Sequence, residues 1–157
     1  MASLDDFRPG WPVTGRPALF KDPVVPWRNI GGRNRVINKV LQIKVRNRNR
    51  GTILAEAAEV ADTSAKRRTG LLKHSNLSPG EGLWIAPCEA VHSFGMKFAI
   101  DVVYLDRKKR VRKIRKEMVP RRLSACLVAH SVLELPVGAI DASRTEPGDQ
   151  LEFEQLE

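Results

Sequence analysis

The residues of this chain best suited to chemistry gather between Cys88 and Asp101, in the run CEAVHSFGMKFAID. A histidine oriented by a carboxylate is a general base, and a nearby thiol is a nucleophile. His92, Asp101 and Cys88 are therefore the candidate catalytic set of a hydrolase-like enzyme. Spacing offers a second chemistry. Cys88-x-x-x-His92 and Cys126-x-x-x-His130 repeat one interval and use both cysteines and two of the three histidines, ligand types that hold tetrahedral zinc. A third reading needs no reaction. His92, Phe94, Met96, Lys97 and Asp101 combine an apolar wall with a few polar groups, the usual composition of a ligand groove.

Strand geometry weighs these readings. Alternate residues of a strand share a face, which puts His92, Phe94, Met96, Phe98 and Ile100 on one side and Ser93, Gly95, Lys97 and Asp101 on the other. A His92–Asp101 pair then requires a bend, and Gly95 is where a bulge would supply one. Val128, between Cys126 and His130, makes their shared face resemble core and argues against the zinc set; no metal or cofactor is expected. Met96 is expected to pack its sulfur against phenylalanine ring edges. A buried Asp101 is expected to accept backbone N–H groups or to meet a cation such as Arg68 or Lys97. Glu134, in the run VLEL, needs partners in the same way if it is buried, but strand alternation favours placing it in water.

The elements that must position these residues read as short strands separated by turns. VLQIKV (40–45) alternates apolar and polar residues, and RNRNRG (46–51) is a turn. TILAEAAEVA (52–61) resumes as a strand, with helix as the alternative because of its alanines and glutamates. Asp62 and Thr63 offer an N-cap for a helix over 63–73, with Ala65, Thr69 and Leu72 on its inner face. Further strands are expected at 83–86, 98–106, 110–116, 124–129, 131–138 and 150–154. About eight strands and one short helix predict a compact β-rich α+β domain, a small barrel or sandwich.

A chain of 157 residues fits one globular domain, expected over 35–157. Residues 1–34 hold five of the ten prolines and read as a proline-rich, basic arm, because proline removes backbone donors and fixes φ. The formal net charge is +9, and +8 of it lies in residues 1–50. A second basic segment, 107–122, sets ten basic residues against Glu117 alone. Arg107, Lys108, Lys109, Arg110 and Arg112 are its candidate contacts to an acidic partner or to nucleic acid. With no interleaved aromatics for stacking, nucleic-acid binding would be weak, phosphate-driven and blind to sequence. No early apolar run follows a basic start and no stretch approaches the length of a membrane span, so a cytoplasmic protein is expected. Two cysteines make no disulfide framework and default to buried thiols.

Several segments together resemble the prokaryotic domain-of-unknown-function family number 192. They are GLL (70–72), GEGLWIAPC (80–88), VHSFGMKFAIDVVYLD (91–106), VLELPVG (132–138) and PGDQLEF (147–153). Their order and spacing agree from about Arg35 to Phe153. Ser93 stands where threonine is common, and RKKR (107–110) replaces the usual Asp-Gly-like hairpin turn. The resemblance implies a β-dominated α+β domain and no particular activity. It places weight on Gly70, Leu71, His92, Met96 and Asp101, and not on His130. The leading expectation is a non-catalytic binding or accessory domain with a small groove around VHSFGMKFAID; the enzyme and the weak nucleic-acid binder are the alternatives.

Overall fold

The structure, a computed structural model, describes residues 40–157; the arm expected over 1–34 lies outside the described residues. Nine strands and two short helices follow one another as β1 (Gln42–Asn47), β2 (Thr52–Ala61), α1 (Ser64–Thr69), β3 (Glu81–Ile85), β4 (Ala90–His92), β5 (Ile100–Leu105), β6 (Val111–Met118), β7 (Leu123–Ala125), β8 (Ser131–Pro136), α2 (Ala139–Ser143) and β9 (Leu151–Gln155). Seven strands form one sheet in the order β6-β5-β8-β3-β2-β1-β9, and β4 pairs with β7 in a separate ribbon. This is a β-rich α+β domain, as expected. The sheet is curled rather than stacked as a sandwich. Its two outer strands meet at one end, where Arg110 pairs with Gln150. Beside that bridge the Val111 N–H donates to the Asp149 carbonyl at 2.8 Å and the Leu151 N–H to the Lys109 carbonyl at 3.0 Å.

Among the described strands only β2 and β3 run parallel. Parallel neighbours need a crossover, since a tight hairpin can join only antiparallel strands. Here α1 and the 70–80 segment carry the chain across. Thr63 caps α1, its hydroxyl accepting the Lys66 N–H at 3.2 Å, and Gly70 ends it at φ 47°. α1 stops four residues short of the predicted helix and buries none of its own side chains. The inward residue of this crossover is Leu71, beyond the helix end, rather than Ala65, Thr69 or Leu72.

Every residue of β5 is buried, and so are the first five of β8. Both strands lie inside the sheet with both faces covered, the situation in which apolar runs replace alternation. Two cores result. One face gives Val103, Leu105, Leu133 and Leu135 to a cluster with Val45, Leu54 and Ile140. The other gives Ile100, Val102, Tyr104 and Val132 to a cluster with Leu71, Leu83, Ile85 and Met96. The strand expected at 124–129 ends at Ala125, and a turn follows. Val128 is consequently exposed rather than core. The second helix, α2, falls in AIDAS, too short a stretch to show a helical period.

Candidate functional site

The segment 93–99 is a turn rather than a strand, with Gly95 at φ 83°. It separates β4 from β5 and sends the signature residues to different places. His92 is exposed and lies beside the Phe94 ring at a centroid distance of 5.8 Å. Lys97 is exposed, Phe98 is half-buried against the second core, and Met96 is buried in it.

Asp101 goes elsewhere. It is 1% exposed, and its carboxylate accepts three backbone N–H groups: Glu117 at 2.9 Å, and Gly138 and Ile140 at 3.1 Å each. The Glu117 donor sits at φ 49°, in an irregular stretch of the β5–β6 pairing, and the other two open α2. Asp101 therefore fastens β5 to β6 and α2 through backbone donors, one of its two expected modes; neither Arg68 nor Lys97 is its partner. His92 does not share these contacts.

The side chains that do converge line a cleft of about 480 Å³ between α1, the end of β3, β4 and β8. Cys88, His92 and Met96 come from the candidate run, Gly70 and Leu71 from the crossover, and Glu134 from β8. Glu134 is the residue that sequence reasoning misjudged. It pairs across the sheet with Leu83 on one side and Val102 on the other, and it is 5% exposed. Its Oε2 has no hydrogen-bond partner. Burial without a counter-charge pushes this carboxyl up to about 7, because desolvation disfavours the ionised form. The signal was present in SVLELPV: a carboxylate inside an unbroken apolar run belongs to a strand covered on both faces, so alternation cannot bring it to water.

Cys88 is a half-buried free thiol whose Sγ donates to the Ala90 carbonyl at 3.1 Å. Burial raises its pKa, so it stays protonated rather than becoming a thiolate. On the rim, Arg67 is fixed by the Asp62 carbonyl at 2.7 Å, the Ala86 carbonyl at 3.2 Å and the Ser64 hydroxyl at 3.1 Å. None of these acceptors carries a charge. The nearby Asp62 carboxylate is paired with Lys66 at 3.0 Å.

The proposed zinc ligands do not assemble. Among the described residues no three His, Cys, Asp or Glu side chains are placed to hold a metal ion. His130 instead lines an open basic cleft of about 580 Å³ with Arg107, Lys108, Arg110 and Arg112. Lys109 leaves that group, its ammonium lying 3.9 Å from the Trp84 ring centroid and 4.9 Å from that of Phe153. The reason is local. Lys109 holds the left-handed position of the turn at φ 63°, while Asp106 accepts the Lys108 and Arg110 N–H groups at 2.8 and 3.0 Å.

With this geometry in place, the chain can be compared with known proteins. The DUF192 profile, described as an uncharacterised ACR, matches residues 45–153. The chain belongs to the DUF192 family. A UPF0127 protein of Thermococcus sibiricus is 30% identical over 113 residues, 69% of this chain and 73% of that one. Two solved structures share the fold. A Sinorhizobium meliloti protein, titled as a candidate transcription regulator, superposes with a TM-score of 0.63 at 20% identity over 72% of this chain and 92% of its own. A Novosphingobium aromaticivorans protein of unknown function gives 0.62 at 22% identity over 72% and 84%. At such identities the likeness is one of fold. The segments through which the chain resembles DUF192 proteins supply most of the first cleft: Gly70, Leu71, Cys88, His92, Met96 and Glu134 all line it. Among the described residues, no helix is long and apolar enough to cross a membrane.

Proposed function

We propose that this chain is a non-catalytic binding domain that takes a small molecule into the cleft between α1, β3, β4 and β8. The observation that carries this reading is Glu134, a buried carboxyl that lines the cleft and whose Oε2 has no hydrogen-bond partner. Such a group raises the free energy of the empty protein and has a reason to persist if a ligand satisfies it. Leu71, Ile85, Val91 and Met96 supply an apolar lining beside it, the usual make-up of a ligand site. The groove expected around VHSFGMKFAID is thus redrawn: His92 and Met96 remain, Glu134 joins them, and Phe94, Lys97 and Asp101 are outside the lining. The hydrolase-like alternative loses support, since Asp101 is engaged away from His92 and Cys88 is held as a thiol. Free, half-buried thiols also suit the reducing cytoplasm, the compartment we assign.

The test is a fragment screen followed by methyl and amide NMR. Bound fragments are expected to shift Leu71, Ile85, Val91 and Met96, and Leu72→Trp, at an exposed lining position, is expected to abolish those shifts. A separate apolar groove is lined by Ile53, Leu54, Pro136 and Val137; fragments that bind only there, or nowhere, would overturn the reading.

The basic hairpin supports a second contact, to an acidic protein. Arg107, Lys108, Arg110 and Arg112 share their cleft with Val128, and the adjoining Leu127 is 84% exposed. Aliphatic side chains fit an apolar patch on a protein and offer nucleic-acid bases no stacking surface. An acidic peptide containing leucines is expected to bind with salt-sensitive affinity that Leu127→Ser weakens at constant charge. Equal binding of a polyglutamate peptide or of a mixed-sequence DNA duplex would contradict this.

A further inference from the structure

The cleft lining carries two chemically distinct kinds of charged group, and together they define a class of ligand. This inference rests on the binding reading above and deepens it. One is Glu134, buried, with Oε2 unpartnered and apolar strands on both sides. The other is a pair of arginines from α1, Arg67 and Arg68, both lining residues. Arg67 is anchored by uncharged oxygens. Arg68 is exposed and makes no ion pair with any described residue. We propose that the cleft binds a small molecule carrying a protonated amine for Glu134 and an anionic group, carboxylate or phosphate, for Arg67 and Arg68.

Each half follows from charge and donor matching. A buried carboxylate without a partner is satisfied most fully by a cationic donor, which supplies a hydrogen bond and a countercharge at once. Guanidinium groups present paired N–H donors suited to carboxylate and phosphate oxygens. Leu71, Ile85, Val91 and Met96 line the same cleft and would cover a short aliphatic linker. A volume of about 480 Å³ suits a molecule of this size.

Binding of an amine must also move protons. A cation beside Glu134 favours its ionised form, so a carboxyl that is part-protonated near neutrality releases its proton as the amine docks. The titratable and charged groups that share the cleft lining with Glu134 are Cys88 and His92 from the β3–β4 segment and Arg67 and Arg68 from α1. Tyr104 of β5 also feels its charge. The β3 neighbours Leu83 and Ile85 carry no charge. Cys88 and Tyr104 are both pushed up by burial and stay protonated across this range, so proton release lost in Glu134→Gln belongs to Glu134.

The experiment is calorimetry on the full chain at pH 7 in buffers of different ionisation enthalpy. The probes are 3-aminopropyl phosphate and 4-aminobutyrate, with propyl phosphate, butyrate and propylamine as single-group controls. At least one amino acid or amino phosphate probe is expected to bind tenfold or more tightly than its controls and to release roughly half a proton per chain, as for a group titrating near the working pH. Glu134→Gln should remove the proton release seen with 4-aminobutyrate, whose own groups do not titrate near pH 7, and reduce the affinity to that of the anion-only control. Arg68→Gln should reduce it toward that of propylamine while the release persists. Single-group controls that bind as well as the double-ended probes, or binding without proton release, would overturn the proposal. If other fragments occupy the cleft and both double-ended probes fail, the ligand class falls while the binding reading stands; if nothing occupies it, both fall.

Discussion

Asp101 and Glu134 are buried carboxylates on paired neighbouring strands, one register step apart: Val102 lies opposite Glu134, and Leu135 opposite Asp101. That single step sends them to opposite faces of the sheet. Asp101 faces the side of Val103 and Leu135, where three backbone donors close on it. Glu134 faces the side of Val102 and Leu83, where Oε2 meets nothing. Equal burial therefore has opposite consequences. A carboxylate with its donors built into the fold is part of the fold; one without them is a site awaiting a partner.

Removing Asp101 should have the largest effect. Asp101→Ala leaves three N–H groups without their acceptor, and stranded buried donors cost on the order of 1–3 kcal/mol each. A loss of about 3 kcal/mol or more is expected in denaturant unfolding at pH 7. A loss within about 0.5 kcal/mol would break the contrast with Glu134.

Glu134→Gln should act in the other direction. The Glu134 carboxyl stands at about 7 in the folded chain and near the ordinary glutamate value of ~4.3 when unfolded. The folded state therefore holds its proton more tightly, and stability falls as pH rises from the unfolded to the folded value, then levels off. The total is on the order of 3 kcal/mol. Glu134→Gln should flatten this slope, leaving stability near pH 4.5 little changed and raising it at pH 8. A variant less stable than the parent at pH 8 would mean that the fold needs this carboxylate as it needs Asp101.

Asp149 gives an intermediate case at the meeting of the sheet edges. Burial opposes its charge, but the Asn47 amide at 2.8 Å, the Glu146 N–H at 3.0 Å and the Arg50 guanidinium at 3.2 Å prevail and lower its pKa. Its contribution is thus complete above the unfolded value of ~3.9 and is lost as pH falls through the folded one. Asp149→Asn should destabilise the protein at pH 7 and reduce the slope of acid unfolding below pH 4. The smallest effect is expected at Lys109, whose ammonium rests over Trp84. Lys109→Ala should lower stability by about 1 kcal/mol and change the tryptophan emission, with ligand binding in the Glu134 cleft unaffected.

What the sequence disclosed depended on how many faces of each strand were covered. TILAEAAEVA forms the strand β2, although Glu56 and Glu59, three residues apart, kept a helix open in the sequence. Parity separated Asp101 from His92 and Met96, and the separation holds although 93–99 is a turn, since Met96 and Ile100 do share a core. The same parity rule failed at Glu134, because it assumes one wet face and β8 has none. At 124–129 the apolar run hid a turn that contains neither glycine nor proline, so Leu127 and Val128 were assigned to a strand they do not join. The cleft itself was half legible. Cys88, His92 and Met96 stand close in sequence, but a crossover residue such as Leu71 and a distant one such as Glu134 reach them only through the parallel β2–β3 connection and the β8–β3 pairing.

The contrast between the two carboxylates rests most directly on the ionisation of Glu134. Carboxyl ¹³C NMR on the full chain, with the Glu134 resonance assigned by its disappearance in Glu134→Gln, reads that ionisation site by site. The account predicts a midpoint near the value of about 7 that moves downward when 3-aminopropyl phosphate or 4-aminobutyrate occupies the cleft. A midpoint in the ordinary glutamate range near ~4.3 would contradict it, because the carboxyl would then already have the partners that the cleft is proposed to await.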